Sequence, residues 1–361
     1  MARPLAFLLP DLGCGGAERL TLDLAGAAVA RGGAAEIVAL RAEGELISAL
    51  PAGVGLVDLG APRIRHGLVP LRRYLRRARP AGLIATMWPL PVLALLAAAG
   101  RGVPVIAAEH GPPLAQYAGQ RLRLLSLRAS MWASYRHAAA VVAVSRGLAG
   151  EIATLAGLAP ERVATVYNPV PPPRLSDVEP EAVRAWRARG GVKLLNIGTL
   201  KPQKDQRLLI EMLALLVSRG VDARLAIVGE GAERAALAAR AAALGLADRV
   251  SLPGFTATPG DWYRAADAFV LSSNHEGAPL VLIEALHFGL PVISTDCRFG
   301  PAELLGDGRW GRLVPPGDAG ALADAVVEAL AAPRDPAALR ARAAEFSVDR
   351  ALDGYLRLIG V

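Results

Sequence analysis

Short apolar runs of strand length alternate along the whole chain with longer stretches in which apolar positions recur every three or four residues. A strand buried on both faces needs an unbroken apolar run, and the helix that returns the chain needs an apolar stripe. The alternation therefore predicts βαβ units and parallel sheets. In the first half the predicted strands are Leu5–Leu9, Ala35–Leu40, Gly55–Leu59, Leu83–Met87, Val103–Ala108, Val141–Ser145 and Val163–Tyr167, with helical patterns such as Ala17–Ala30 and Leu90–Ala99 between them. The run NPVPPPRLSDVEPE, Asn168 to Glu181, breaks the pattern, because proline fixes φ and removes a backbone donor. Strands Lys193–Ile197, Arg224–Val228, Val250–Leu252, Ala268–Ser272 and Pro291–Thr295 follow, separated by helices over Asp205–Arg219, Ala232–Leu244 and Pro279–Phe288.

The predicted fold class is α/β, with two Rossmann-like domains facing each other across a cleft. The N-terminal domain is expected over 1–172, a proline-rich hinge over 173–190 and a C-terminal domain over 191–346. A length of 361 residues agrees, since single cores stop growing near ~250 to 300 residues. Ligands of open α/β sheets bind outside the carboxyl ends of the strands, so the cleft is the place to look for chemistry.

The stretch SSNHEGAPLVLIEALHFGLP, Ser272 to Pro291, carries Glu276 and Glu284 within an otherwise apolar segment. Glu276 falls in a loop between strand and helix, and Pro279 suits a first helical turn. Val281, Leu282, Ile283, Ala285 and Leu286 cover most of the helix that follows, so Glu284 interrupts an apolar cylinder. A carboxylate there requires a partner or water; a solvated helix face is the plain alternative.

The loop S-x-x-E-G-x-P leading into E-A-x-x-x-G-x-P-V-I, with glutamates eight positions apart, resembles the signature of family 4 retaining glycosyltransferases of the GT-B fold, and the run GPAELLGDGRWGRLVPPGD continues the likeness. The resemblance implies that Glu276 is catalytic, binding hydroxyls of the donor sugar, and that Glu284 accepts from both ribose hydroxyls of a nucleotide. It implies that Gly277, Ala278, Pro279 and Leu280 present a helix N-terminus to a diphosphate. NIGTLKPQKDQRLLIEML is similar to the family's strand-loop-helix, with Lys204 at the phosphate-contacting lysine and Thr199 where an arginine is usual. Lys201 is a candidate substitute for that arginine; without the resemblance, Lys204 reads as a surface lysine. IVGEGAE resembles the family's glycine turn, and Phe255 in LPGF is a base contact on the resemblance and a core residue otherwise.

In the first half, Gly15, Gly16 and Ala17 of LGCGGAERL resemble a G-G-A-E loop that approaches donor phosphate or acceptor; a tight turn without ligand is the alternative. The dinucleotide fingerprint fails there, because the third glycine position from Gly13 is Glu18. His110 in VIAAEHGPP matches a histidine that relatives place near the sugar and diphosphate, and is the second expected catalytic residue. FSVDRALDGYLRLI resembles a terminal helix crossing back, so 347–361 is expected on the first domain.

Composition narrows the setting. Apolar residues make up 53% of the chain, but no run approaches the ~18 residues of a membrane span. The N-terminal run Leu5–Leu9, broken by Pro10 and Asp11, is too short for a signal peptide's apolar core. Cys14 and Cys297 form no metal or disulfide framework, which suits a reducing cytoplasm. The net charge of +7 belongs to the first half, where residues 1–170 hold 18 Arg and no Lys against 10 acidic residues. RIRHGLVPLRRYLRRARP and QRLRLLSLRASMWASYRH mix Arg with Leu, Trp and Tyr at helical spacing, which suits an anionic membrane surface; solvated helices are the alternative.

The expectation is a metal-independent retaining hexosyltransferase with no cofactor, using a UDP-sugar or another NDP-sugar. Its acceptor is a glycan or a lipid-linked glycan, and it acts in the cytoplasm, peripherally at the inner face of the plasma membrane. No D-x-D pair occurs, and nucleic acid is not an expected partner. The rivals are a non-catalytic sugar-nucleotide-binding partner and an NAD-binding Rossmann oxidoreductase.

Overall fold

A computed structural model of the chain describes residues 3–13 and 16–360. The chain forms two compact units, one of Met1–Pro169 with Ser347–Val361 and the other of Val170–Phe346. Both are Rossmann-like, each built on a parallel sheet.

The first unit holds β1 (Leu5–Leu9), β2 (Ala35–Ala39), β3 (Gly55–Asp58), β4 (Gly82–Thr86), β5 (Val105–Glu109), β6 (Ala140–Ala143) and β7 (Val163–Thr165). Their order is β3-β2-β1-β4-β5-β6-β7, so the winding reverses between β1 and β4. β1, β4 and β5 are buried throughout, as their apolar runs require. β5 begins two residues later than expected because Pro104 offers no N–H, and it runs on to Glu109, whose carboxyl is buried. The helix Val348–Ile359 packs on Gly16–Ala30. Arg31 joins them by bonding Asp349 at 2.7 Å and Asp353 at 2.5 Å.

The second unit holds β8 (Val192–Ile197), β9 (Ala223–Val228), β10 (Val250–Gly254), β11 (Ala268–Leu271), β12 (Val292–Thr295) and β13 (Arg312–Val314). The order β10-β9-β8-β11-β12-β13 reverses between β8 and β11. β13 was not expected: it is three residues long and opens on an exposed arginine. The stretch expected as a hinge contains the helix Glu181–Ala188, because Val183 and Trp186 share one face and bury it. Trp186 meets the Trp262 ring with centroids 5.4 Å apart. The preceding proline-rich segment is fixed to the same place, since buried Asp261 accepts from Ser176 N at 3.1 Å and Ser176 Oγ at 2.7 Å. No helix among the described residues is long and apolar enough to cross a membrane.

Candidate functional site

The loops after β8 and β11 meet at the switch point of the second sheet. Asn274 N donates to Gln203 O at 2.9 Å, Gln203 Nε2 to His275 O at 2.7 Å and Ser272 Oγ to Lys204 O at 2.8 Å. The glycine turn after β9 backs this junction. Gly229 and Gly231 have φ of +145° and +157°, and a Cβ on them would stand 2.1 and 2.2 Å from the carbonyls of Gly198 and Leu200. Only glycine permits both the backbone angle and that approach.

On this frame Lys204 Nζ lies 2.5 Å from Glu276 Oε1, and Ser273 Oγ donates to the same oxygen at 2.6 Å. Ser273 is itself held, its carbonyl accepting from Thr295 Oγ1 at 2.7 Å. A buried carboxylate needs a charge partner and hydrogen bonds, and Glu276 has both. Cys297 nearby is pushed up to about 12, by burial first and then by the Glu276 charge, so its thiol keeps its proton.

Gly277, Ala278 and Pro279 lead into the helix Leu280–His287, whose N-terminus has no side-chain cap. Its first-turn N–H groups are of the kind that accept an anion. Gly300, at φ +94°, supports the loop; a Cβ there would lie 2.5 Å from Pro279 Cδ and 3.1 Å from Ala278 Cα. One turn further on, half-buried Glu284 accepts from Tyr263 Oη at 2.7 Å. Tyr263 is fully buried, and burial followed by the Glu284 charge holds its hydroxyl well above the ordinary tyrosine range, so it remains a donor. Glu284 therefore interrupts the apolar helix with a dedicated partner beside it.

The remaining candidates lie elsewhere. Thr199 and Lys201 are exposed on the loop after β8, and the Thr199 carbonyl accepts from Gln206 Nε2 at 3.1 Å. Phe255 is 76% exposed just past β10, which rules out the core alternative for it. In the first unit, Gly16 opens its helix at the surface with Ala17 half-buried behind it; Gly15 lies outside the described residues. His110 follows β5, and both its ring nitrogens are buried without a hydrogen-bond partner. Burial pushes its pKa down to about 4 against the opposing influence of the Asn168 side chain, which leaves a neutral ring.

Three groups escaped the sequence reading. Tyr263 and Ser273 gain their roles only through contact with the two glutamates. Glu109 carried a weak signal, an acidic residue closing an apolar strand. Its Oε1 accepts from Tyr135 Oη at 2.5 Å and its Oε2 from Trp88 N at 3.3 Å. Burial nonetheless pushes Glu109 up to about 7. Among the described residues no group of three or more His, Cys, Asp or Glu could hold a metal ion.

Residues 191–332 match the family described as Glycosyl transferases group 1, and residues 14–174 match Glycosyltransferase Family 4. The fold is that of GT-B glycosyltransferases, and each half of the chain matches a glycosyltransferase family model. The fold of the chain is similar to that of HepE of Anabaena in a crystal structure with UDP, at a TM-score of 0.79 and 21% identity over 99% of both chains. An α-D-kanosaminyltransferase of Streptomyces kanamyceticus is 30% identical over 255 residues, 68% of this chain and 64% of that one. The lipopolysaccharide 1,6-galactosyltransferase of Salmonella typhimurium is 30% identical over 182 residues, 49% of this chain and 48% of its own. The chain spans about half the length or less of several curated relatives it matches.

Proposed function

We propose that the protein is a retaining glycosyltransferase that moves a hexose or N-acetylhexosamine from a nucleoside-diphosphate sugar, UDP in particular, to a glycan or lipid-linked acceptor. The observation that carries this reading is the Lys204–Glu276–Ser273 cluster, followed by Glu284 and its tyrosine partner one turn into the next helix. HepE, crystallised with UDP, with UDP and glucose and with UDP-glucose, supports the donor class.

In this reading Glu276 receives donor-sugar hydroxyls, and Lys204, with donors to spare beyond its ion pair, faces the diphosphate beside the N-terminus of Leu280–His287. Glu284 binds the ribose hydroxyls. Neutral His110 donates one N–H to the sugar. The acceptor oxygen bonds to the anomeric carbon on the face from which the diphosphate leaves, and the departing oxygen takes the acceptor's proton. No protein base and no metal is required; catalysis is positioning and stabilisation of the leaving group. A peripheral location at the cytoplasmic membrane face is part of the proposal, supported by the exposed basic helices of the first unit.

The exposed Thr199, at the position where the resemblance implies an arginine, favours a second reading as a sugar-nucleotide-binding subunit without turnover of its own. Incubating the purified chain with UDP-, GDP- and ADP-sugars and following nucleoside-diphosphate release, then the anomeric configuration of the product by NMR, tests both readings. Product of inverted configuration would overturn retention, and tight donor binding without turnover would select the second reading.

A further inference from the structure

The N-terminal edge of the first sheet, opposite the edge that carries Gly16 and His110, holds an unassigned charged hollow. Residues 59–108 contain eight arginines and no acidic residue. Two segments of that stretch, at the end of the helix Leu68–Ala78 and before β5, come together with the residue that precedes β1. Arg3, Arg76, Arg77, Arg79 and Arg101 surround a hollow of about 670 Å³ with Leu75 in its wall. Among the described residues no carboxylate pairs with any of the five. Elsewhere in the same unit arginines do find acids, Arg31 with Asp349 and Asp353, and Arg41 with Asp11.

The cluster is held by backbone. Arg3 Nε donates to Arg79 O at 2.7 Å and Arg3 Nη2 to Pro80 O at 3.0 Å, while Arg101 Nη1 donates to Ala99 O at 2.8 Å. Arg79 closes its helix in the left-handed region, at φ 45°, a conformation that is strained for a non-glycine residue. Like charges gathered without counter-charge repel one another, and an anion with several oxygens would relieve this. The guanidinium fork matches phosphate oxygens two at a time. A second hollow of about 480 Å³ shares Arg3 and is lined by Leu5, Ala28, Leu352 and Leu356, so apolar surface adjoins the charged one.

We propose that the five-arginine hollow is a binding site for a phosphate group, separate from the donor site, open either to free phosphates or to a phosphate borne on a hydrocarbon chain that lies along the adjoining apolar hollow.

Calorimetry on the full chain with inorganic pyrophosphate and with lysophosphatidic acid below its micellar concentration tests this. The probes are run against wild type, Arg77→Gln/Arg101→Gln, Arg77→Lys/Arg101→Lys and Lys204→Gln. Loss of about tenfold or more in affinity for both probes in the glutamine pair, spared in Lys204→Gln, supports a site for free phosphates. The same loss for lysophosphatidic acid alone supports a lipid-borne phosphate. The lysine pair, which keeps the charge but not the fork, is expected to lose less affinity than the glutamine pair and to show that the fold is intact. Unchanged affinity for both probes in the glutamine pair overturns the proposal, as does loss of all binding in Lys204→Gln.

Discussion

Lys204 and Glu276, 72 positions apart in the chain, form an ion pair of 2.5 Å in which the lysine side chain is 18% exposed and the glutamate 8%. The pair ties the loop after β8 to the loop after β11, the two strands between which the sheet reverses. Neither charge is well solvated alone, so removing one partner leaves the other without a counter-charge in a site that water reaches poorly.

Glu276→Gln is expected to abolish sugar transfer while leaving the affinity for UDP within a few fold, because the change touches the sugar end of the donor and not its nucleotide. Lys204→Gln is expected to weaken UDP binding as well. Either change leaves a charge without its partner and lowers stability by about 1 to 3 kcal/mol, and the double substitution costs less than the sum. Transfer assays, calorimetry and denaturation of the four proteins check this. Unimpaired transfer by Glu276→Gln would remove the role given to that carboxylate.

Glu284 and Tyr263 allow a second double-mutant test. Glu284→Ala is expected to weaken UDP binding by about 1.5 to 3 kcal/mol, roughly 10- to 150-fold, the scale of charge-assisted hydrogen bonds. Tyr263→Phe removes the 2.7 Å donor and leaves the ring in place, so a smaller loss of about 0.5 to 1.5 kcal/mol is expected. If the tyrosine acts through the glutamate, adding Tyr263→Phe to Glu284→Ala produces no further loss in calorimetry. Additive losses would mean that Tyr263 acts on its own.

These pairs mark where sequence reading stops. The parallel sheets were legible because an interior strand must be apolar along its whole length, and Leu5–Leu9 and Ala268–Leu271 could hardly be read otherwise. Val183 and Trp186 were obscured by the prolines before them, and β13 by its length. Both glutamates stood out as charges in an apolar segment and through the resemblance, whereas Tyr263 reads in sequence as one more core aromatic. Ser273 and Glu109 likewise look ordinary until the fold sets them against Glu276 and Tyr135. A polar residue whose role is to hold another one leaves little trace in periodicity.

Glu109 and His110 are neighbours whose burial acts in opposite directions on stability. Glu109 keeps its proton to about pH 7 in the fold against an ordinary 4.5, so the folded state binds more protons in that window and stability falls as pH rises through it. His110 stays neutral down to about pH 4 against an ordinary 6.5, so the unfolded state binds more protons there and stability rises with pH. Each slope is about 1.4 kcal/mol per pH unit at most, and between about pH 4.5 and 6.5 they oppose one another. Glu109→Gln is expected to uncover the rise, and His110→Gln the fall that ends near pH 7. Guanidinium unfolding across this range checks both; two variants with the wild-type profile would contradict the assignment.

The membrane proposal separates into a charge part and an apolar part. The helix Arg121–Ser134 leaves Leu122, Leu125 and Trp132 exposed by 84%, 63% and 55%, beside Arg121 and Arg128. It packs next to Leu90–Ala98, which packs next to Leu68–Ala78 with exposed Arg72, Arg73, Arg76 and Arg77, so these side chains belong to one helical layer. Attraction to anionic lipid contributes about 1 kcal/mol per arginine near the surface and is screened as the Debye length falls from about 10 Å at 0.1 M salt to about 3 Å at 1 M. Insertion of the apolar side chains is not screened. Sedimentation with phosphatidylglycerol vesicles is therefore expected to weaken with salt to a residual level in the wild type. Leu122→Ser/Leu125→Ser is expected to keep the salt slope and lose that residue of binding, while Arg121→Gln/Arg128→Gln flattens the slope. Absence of sedimentation by the wild type at low salt would assign the exposed leucines and Trp132 to a protein partner or to a water-facing surface, and with them the acceptor to solution.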